Sequence, residues 1–202
     1  MNYPKRFEKL IESFQRLPGI GYKSAERMAH HMLDMKEEYL DFFSSSINNI
    51  KELKRCAFCN NISDEKYCVI CKDESRNRKT VCVIQNIKDL FAIEKSSSYN
   101  GLYFVLNKVI SPSKGVLPDD LNIDVLLKQI KKFDEVILAT NPTIEGETTA
   151  LFIQNMLDEE DVNISRLAYG LPMGGNLEYT DEVTISKSFE NRKILEKEKK
   201  ED

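Results

Sequence analysis

The chain has 202 residues, 41 % hydrophobic and 31 % charged, with a formal net charge of −4. That length suits one sizeable domain, or two small ones plus a knuckle, and the composition is ordinary for a soluble protein. No apolar run approaches the roughly 20 residues that a membrane-spanning helix needs, and Met1–Arg6 lacks the apolar core of a secretion signal, so a cytoplasmic location is expected. The charge is uneven: residues 1–79 carry 15 Lys/Arg against 12 Asp/Glu, and residues 80–202 carry 14 against 21. A mildly basic front half permits nucleic-acid contact without arguing for it.

In chain order, residues 4–17 read as an amphipathic helix, with Phe7, Leu10, Ile11, Phe14 and Leu17 at helical spacing and Pro4 suited to its first turn. Leu17-Pro18-Gly19-Ile20-Gly21 interrupts it with turn residues. A second helix follows over Lys23–Leu33, expected to bury Ala25, Met28, Ala29 and Met32. A third helical stretch presents Tyr39, Leu40, Phe43, Ile47, Ile50 and Leu53, although Ser44-Ser45-Ser46 weakens the pattern. From Thr80 the period changes. Val81–Ile84, Leu102–Leu106, Glu135–Ala139 and Asn163–Ala168 read as strands. Helices are expected around Ile87–Glu94, Ile123–Ile130, Glu145–Leu157 and Tyr179–Asn191, with a loop over Ser111–Asp120. Strands alternating with helices indicate an α/β domain with a mostly parallel sheet, whose ligands sit at the carboxyl ends of the strands. The last residues, 196–202, form a charge run expected to be solvated or disordered.

Between these two regions lie Cys56-Ala57-Phe58-Cys59 and Cys68-Val69-Ile70-Cys71. Two Cys-x-x-Cys pairs supply the four thiolates of a closed tetrahedral zinc site, each spacer letting one turn of backbone aim two sulfurs at the same ion. The loop between them is shorter than in the commoner four-cysteine pattern. The alternatives are two disulfides, disfavoured in a reducing compartment, or a redox dithiol, which would not need a duplicate beside it. A four-thiolate zinc would be structural, because no coordination position stays open for a catalytic water. Cys82, inside an expected strand, reads as a core thiol.

The segment Leu17–Gly21 followed by Lys23 and Arg27 looks like a helix-hairpin-helix. Gly19 and Gly21 let bare amides approach a phosphate oxygen at a helix start. Lys23 and Arg27, four residues apart, lie on one face and can take neighbouring phosphates regardless of base sequence. The plainer reading is a helical hairpin with a Pro-Gly connector. His30 and His31 are adjacent, point apart, and are expected to cap or flank the helix rather than share a metal.

Ala139–Glu147, where a strand meets a helix, resembles the toprim signature of topoisomerases and primases. In that family the strand ends in Asp-x-Asp, followed by Glu-Gly-Glu, and an earlier strand ends in a catalytic Glu. Here Asn141 and Thr143 stand at the aspartate positions and Gln85 at the glutamate position. Amides and a hydroxyl offset the dehydration of Mg²⁺ poorly, so the resemblance implies a dead toprim scaffold.

The whole order — hairpin, four cysteines, degenerate toprim, then Leu171-Pro172-Met173-Gly174-Gly175-Asn176-Leu177-Glu178-Tyr179-Thr180-Asp181-Glu182 — closely resembles the RecR family of bacterial recombination mediators, over residues 3–192. The strings Ala139–Ala150 and Tyr169–Glu182 carry it most specifically. The resemblance implies an α+β chain of several parts: a helix-hairpin-helix region (1–54), a four-cysteine zinc finger (55–78), an α/β toprim domain (79–170), a C-terminal segment (171–195) and a charged tail (196–202). It implies a non-enzymatic DNA clamp, a ring-shaped tetramer that holds single-stranded and duplex DNA without sequence preference. In that role the protein works with RecO, and in many bacteria RecF, to load RecA onto gapped single strands in the nucleoid. Lys23, Arg27, Gly19 and Gly21 then fall on DNA contacts, Cys56, Cys59, Cys68 and Cys71 on the ligands of one structural zinc per chain, and Glu145 and Glu147 in the region linked to RecO. Gln85, Phe104 and Asn107-Lys108 depart from the family pattern, and these positions are expected at the toprim surface. The C-terminal segment is expected against a neighbouring subunit. Its Gly174-Gly175 lacks the surrounding phosphate-loop pattern, so ATP binding is not supported. The competing readings are a Mg²⁺-dependent nuclease or primase-like enzyme, which the missing Asp-x-Asp disfavours, and a zinc-bearing interaction module without DNA contact.

Overall fold

A computed structural model describes residues 3–193; the charge run at 196–202 lies outside them. The chain forms two compact units, 1–53 and 54–202.

The first unit is helical: α1 (Lys5–Gln15), α2 (Tyr22–Leu33) and α3 (Glu37–Asn49). Phe7 and Ile11 of α1 are buried against Ala25 and Ala29 of α2, with Leu10, Phe14 and Ile20 packed around them. The two alanines, one turn apart, let the helices approach closely. Pro4 sits just before α1 rather than inside it, its carbonyl accepting from the amides of Phe7 and Glu8. Met28 and Met32 are only half-buried, a correction to the expected core, because Ala25 and Ala29 are the α2 residues buried against α1. The serine run does not end α3: Ser44 donates its hydroxyl to the carbonyl of Asp41, and Ser45 and Ser46 to that of Phe42, so the side chains bond within the helix instead of competing with it. No residue of α3 is buried.

The second unit opens with a short antiparallel ribbon, β1 (Lys54–Arg55) with β2 (Ile62–Ser63), and one helical turn, α4 (Val69–Lys72). Then come β3 (Asn77–Ile84), α5 (Ile87–Ser96), β4 (Gly101–Val105), α6 (Asp124–Leu127), β5 (Glu135–Ala139), α7 (Ile144–Leu157), β6 (Asn163–Arg166) and α8 (Glu182–Glu190). The four long strands pair in the order β4-β3-β5-β6, all parallel. Covered on both faces, β4, β5 and the second half of β3 read as apolar runs rather than alternating ones, whereas β6 at the edge is only partly buried. Val81, Val83, Leu102, Phe104, Val136 and Leu138 face a core closed by Leu126, Ile130, Ala150, Ile153 and Leu157. Cys82, Ile84, Tyr103 and Val105 face the opposite core with Leu90 of α5 and the four clustered cysteines. Each large side chain so buried contributes about 1.5–3 kcal/mol.

The cysteine knuckle is stitched to the sheet. The Val105 amide donates to Cys59 O at 2.9 Å, and Asn60 Nδ2 reaches Val105 O at 3.2 Å. Its exit is pinned where Arg76 pairs with Glu94 of α5 and donates to Gly101 O, while Tyr103 Oη donates to the same carboxylate at 2.6 Å. The hydrogen bond from Arg76 holds the Glu94 carboxyl below its ordinary range. The helix expected over Ile123–Ile130 is only α6 plus a 3₁₀ turn at Ile130–Lys132. Leu121, Ile123, Leu126, Ile130 and Phe133 are all buried nonetheless, so packing rather than helical period places them. The last expected helix likewise divides into a turn at Leu177–Tyr179 and α8, whose start Asp181 caps by accepting from the Thr184 amide. No helix among the described residues is long and apolar enough to cross a membrane.

Candidate functional site

Three constellations bring chemistry-bearing residues together. In the knuckle, Cys56 follows β1, Cys59 closes the next turn, and Cys68 and Cys71 bracket the start and end of α4. The first turn is set by Asn60 in the left-handed region (φ 60°), with the Asn60 amide on Cys56 O and the Cys56 amide on Asn61 O. All four cysteines are buried and unlinked, and their sulfurs lie within 4.8 Å of one another. Cys59 and Cys68 Sγ are 3.5 Å apart, far beyond a disulfide bond and near the ~3.8 Å edge of a tetrahedron of metal–thiolate bonds. The Cys68 amide donates to Cys56 Sγ at 3.3 Å. Hydrogen bonds from Cys59 and Cys71 lower the Cys68 thiol, while Cys59 is raised by its bond to Cys68 and Cys71 by its bonds to Cys59 and Cys68. Four buried sulfurs cannot all ionise side by side without a cation among them, and this soft, closed donor set fits one. Cys82 lies outside the cluster, and burial pushes its thiol up to about 12, as a core position should.

At the hairpin, Gly19 takes φ +80°, a conformation that only glycine adopts without strain. Gly21 has an ordinary φ of −82° and is the residue before α2. A Cβ on either glycine would meet nothing within 4 Å, so the fold leaves this surface bare. No side chain caps α2, and its first turn holds no acidic residue. The free amides and positive end of the helix dipole therefore face outward uncompensated. Lys23 and Arg27 are exposed on this helix, and neither is paired with a carboxylate among the described residues. His30 packs edge-on against Phe7 at 4.8 Å and Tyr3 at 5.7 Å, flanking the helix.

At the carboxyl ends of β3 and β5, Asn141 Nδ2 donates to Gln85 Oε1 at 3.2 Å. Two amides satisfy each other where a toprim enzyme would hold carboxylates on a metal. Thr143 is occupied too, its hydroxyl accepting from the Gly146 amide as the cap of α7. Glu147 is tied by Arg166 Nη2 at 2.6 Å and by the Tyr169 hydroxyl. Burial would raise the Glu147 carboxyl, but the bonds from Tyr169 and Arg166 outweigh it and the net shift is downward. Arg166 is itself anchored on Leu138 O and Thr140 O, its guanidinium 5.1 Å from the Tyr169 ring centre. Glu145 is half-buried, with no partner for its carboxylate among the described residues. Sequence reasoning missed Arg166 and Tyr169; a lone arginine in an otherwise uncharged strand was the available signal. It also misplaced Phe104, which is wholly buried in the sheet core rather than at the surface. Asn107 and Lys108 are exposed, Asn107 in the left-handed region at φ 62°.

Compared with known families, residues 7–51 match the model described as RecR, helix-hairpin-helix, residues 79–168 match the Toprim domain, and residues 170–193 match RecR, C-terminal. The stretch between the first two matches holds the cysteine knuckle.

Proposed function

The chain belongs to the RecR family, and from that premise we propose that it is a non-enzymatic DNA clamp of recombinational repair that helps RecO, and RecF where present, load RecA onto gapped single strands in the cytoplasm. The observation that carries the DNA-binding reading is the bare start of α2: an uncapped helix end beside Gly19 and Gly21, with Lys23 and Arg27 unpaired on the same helix. Phosphates satisfy all of these groups at once and supply affinity that is independent of sequence. In the Lys23→Ala/Arg27→Ala double variant, retention on closed circular DNA is expected to be lost, with the salt slope of binding falling by about one for each phosphate contact removed. Unchanged retention would leave the hairpin as a mere connector and support the module without DNA contact.

The toprim portion acts as a scaffold. Gln85 and Asn141 bond to each other and Glu147 is neutralised by Arg166, so only Glu145 is left to offer a free carboxylate at this edge, too little charge for Mg²⁺. Mg²⁺-dependent cutting or primer synthesis that vanished in Glu145→Ala or Glu147→Ala would instead make the protein an enzyme. Glu145, half-buried but with no partner for its carboxylate among the described residues, is the acidic side chain of this region offered to RecO. In the knuckle the ion is zinc, one per chain, because four thiolates in a closed site suit it and leave no catalytic position.

Self-association into a ring is supported by apolar surface that a lone chain leaves wet. On α3 and the turn after it, Phe42 is 72 % exposed and Ile50 65 %, with Tyr39, Phe43, Ile47 and Leu53 also exposed. A monomer rarely presents so much contiguous apolar side chain. The Phe42→Glu/Ile50→Glu variant is expected to shift the light-scattering mass from tetramer toward smaller species; an unchanged mass would place the contact elsewhere.

A further inference from the structure

A cavity of about 400 Å³ opens between the cysteine knuckle and the segment carrying the Ile130–Lys132 turn. Phe58 and Tyr67 of the knuckle and Phe133 wall it, with Phe58 and Phe133 rings 6.2 Å apart and tilted by 50°. Arg78, Lys79 and Lys132 also line it, and no carboxylate does. The cations are only partly spent. Lys79 pairs with Asp134 at 3.1 Å, whereas Arg78 gives one nitrogen to Cys71 O and feels Asp73 only at a distance. Lys132 donates only to the neutral Gln129. Lys66 adds a fourth positive charge beside the mouth, 5.5 Å from the Tyr67 ring centre. A carboxylate-free pocket with aromatic walls and a cationic rim calls for a planar apolar body bearing an anion.

We propose that this cleft is a nucleotide subsite, taking one base against Phe58 and Tyr67, with the buried Phe133 beneath them, and its phosphate on Arg78 and Lys132. The volume lies at the low end of small-ligand pockets, about 300–1,000 Å³, enough for one nucleotide unit and too small for duplex. Stacking on aromatic rings accepts any base, and backbone cations accept any sequence. The proposal rests on the DNA-binding reading above but uses different residues: the hairpin would hold the DNA backbone, and this cleft would take a single unpaired nucleotide. An acidic peptide ending in an aromatic residue would offer related chemistry. The nucleotide is favoured because the half-buried Phe58 ring and the exposed Tyr67 ring offer stacking surface to a flat base while only the rim is charged.

The test uses full-length, metal-loaded protein and a short oligothymidylate carrying one 5-iodouracil, with cross-linked peptides mapped by mass spectrometry. Cross-links to Tyr67 or Phe58 are expected, and they should persist in the Lys23→Ala/Arg27→Ala variant, which separates this site from the hairpin. In that same background, Tyr67→Ala and Lys132→Ala should each weaken oligothymidylate binding about tenfold, with unchanged metal content and melting temperature. Competition by free thymidine monophosphate would assign the site to free nucleotides, and its failure to compete would assign it to a strand; either supports the subsite. Cross-links confined to residues 17–31, or an acidic aromatic peptide binding at Tyr67 where oligothymidylate does not, would overturn it. Wild-type cross-linking decides the question even if a variant fails to fold.

Discussion

Replacing Cys59 with Ser, or stripping the metal with a chelator, is expected to unfold the knuckle and loosen one whole face of the sheet. The four cysteines are not an appendage: they share a core with Cys82, Ile84, Leu90, Tyr103 and Val105. The knuckle's own backbone has two strands of two residues each and one helical turn, too little to bury a core unaided. Metal binding in such segments is folding free energy, about 10–16 kcal/mol in small zinc domains, against a global stability of about 5–15 kcal/mol for a whole domain. Losing even part of it should lower the calorimetric melting temperature by more than 10 °C, with loss of one zinc per chain by elemental analysis. Acidification should act in the same direction, because protons compete with the metal for thiolates. A Cys59→Ser variant that melts with wild type would show the metal to be dispensable to the fold.

Gly146→Ala is expected to be the most damaging single-methyl change in the toprim region. An alanine Cβ there would fall 2.0 Å from Asn141 O and 3.3 Å from Thr143 Oγ1. Neither neighbour has room to yield: Thr143 caps α7 through the Gly146 amide, and the Thr140 hydroxyl donates to Gly146 O at 2.7 Å. Backbone must therefore move, at a cost of about 3 kcal/mol, or about 6–12 °C in melting temperature for a chain of this size. Gly170→Ala is the control, since its Cβ would meet nothing within 4 Å and its φ is not positive; it should melt like wild type. Equal melting of the two variants would mean that the loop relaxes freely. The result also bears on how Glu-Gly-Glu is read: its glycine answers to the loop beneath it, whatever its glutamates bind.

What was legible in the sequence follows from local period and spacing. Val81–Ile84 and Val136–Ala139 are unbroken apolar runs, and both lie in strands at the centre of a parallel sheet. The cysteine spacing alone pointed to one shared site, and the sulfurs do converge. What stayed hidden depends on partners distant in the chain. The Gln85–Asn141 bond joins residues 56 apart, and the Arg166 clamp on Glu147 spans 19, neither with any periodic signature. Phe104 was misplaced because a departure from a family pattern says that a residue differs, not which way it points. Ile123–Ile130 looked helical because the buried Ile123, Leu126 and Ile130 recur at helical spacing.

β4 is the outermost strand on its side of the sheet, and an outer strand with open amides and carbonyls is a template on which other chains can add. By accepting from the Val105 amide and covering the Val105 carbonyl, the knuckle occupies the end of that template. Metal loss would therefore do more than lower stability. It would uncover a sticky edge on a sheet that is still largely formed, so that a cell starved of the ion would accumulate aggregates from near-native chains well before it accumulated unfolded ones.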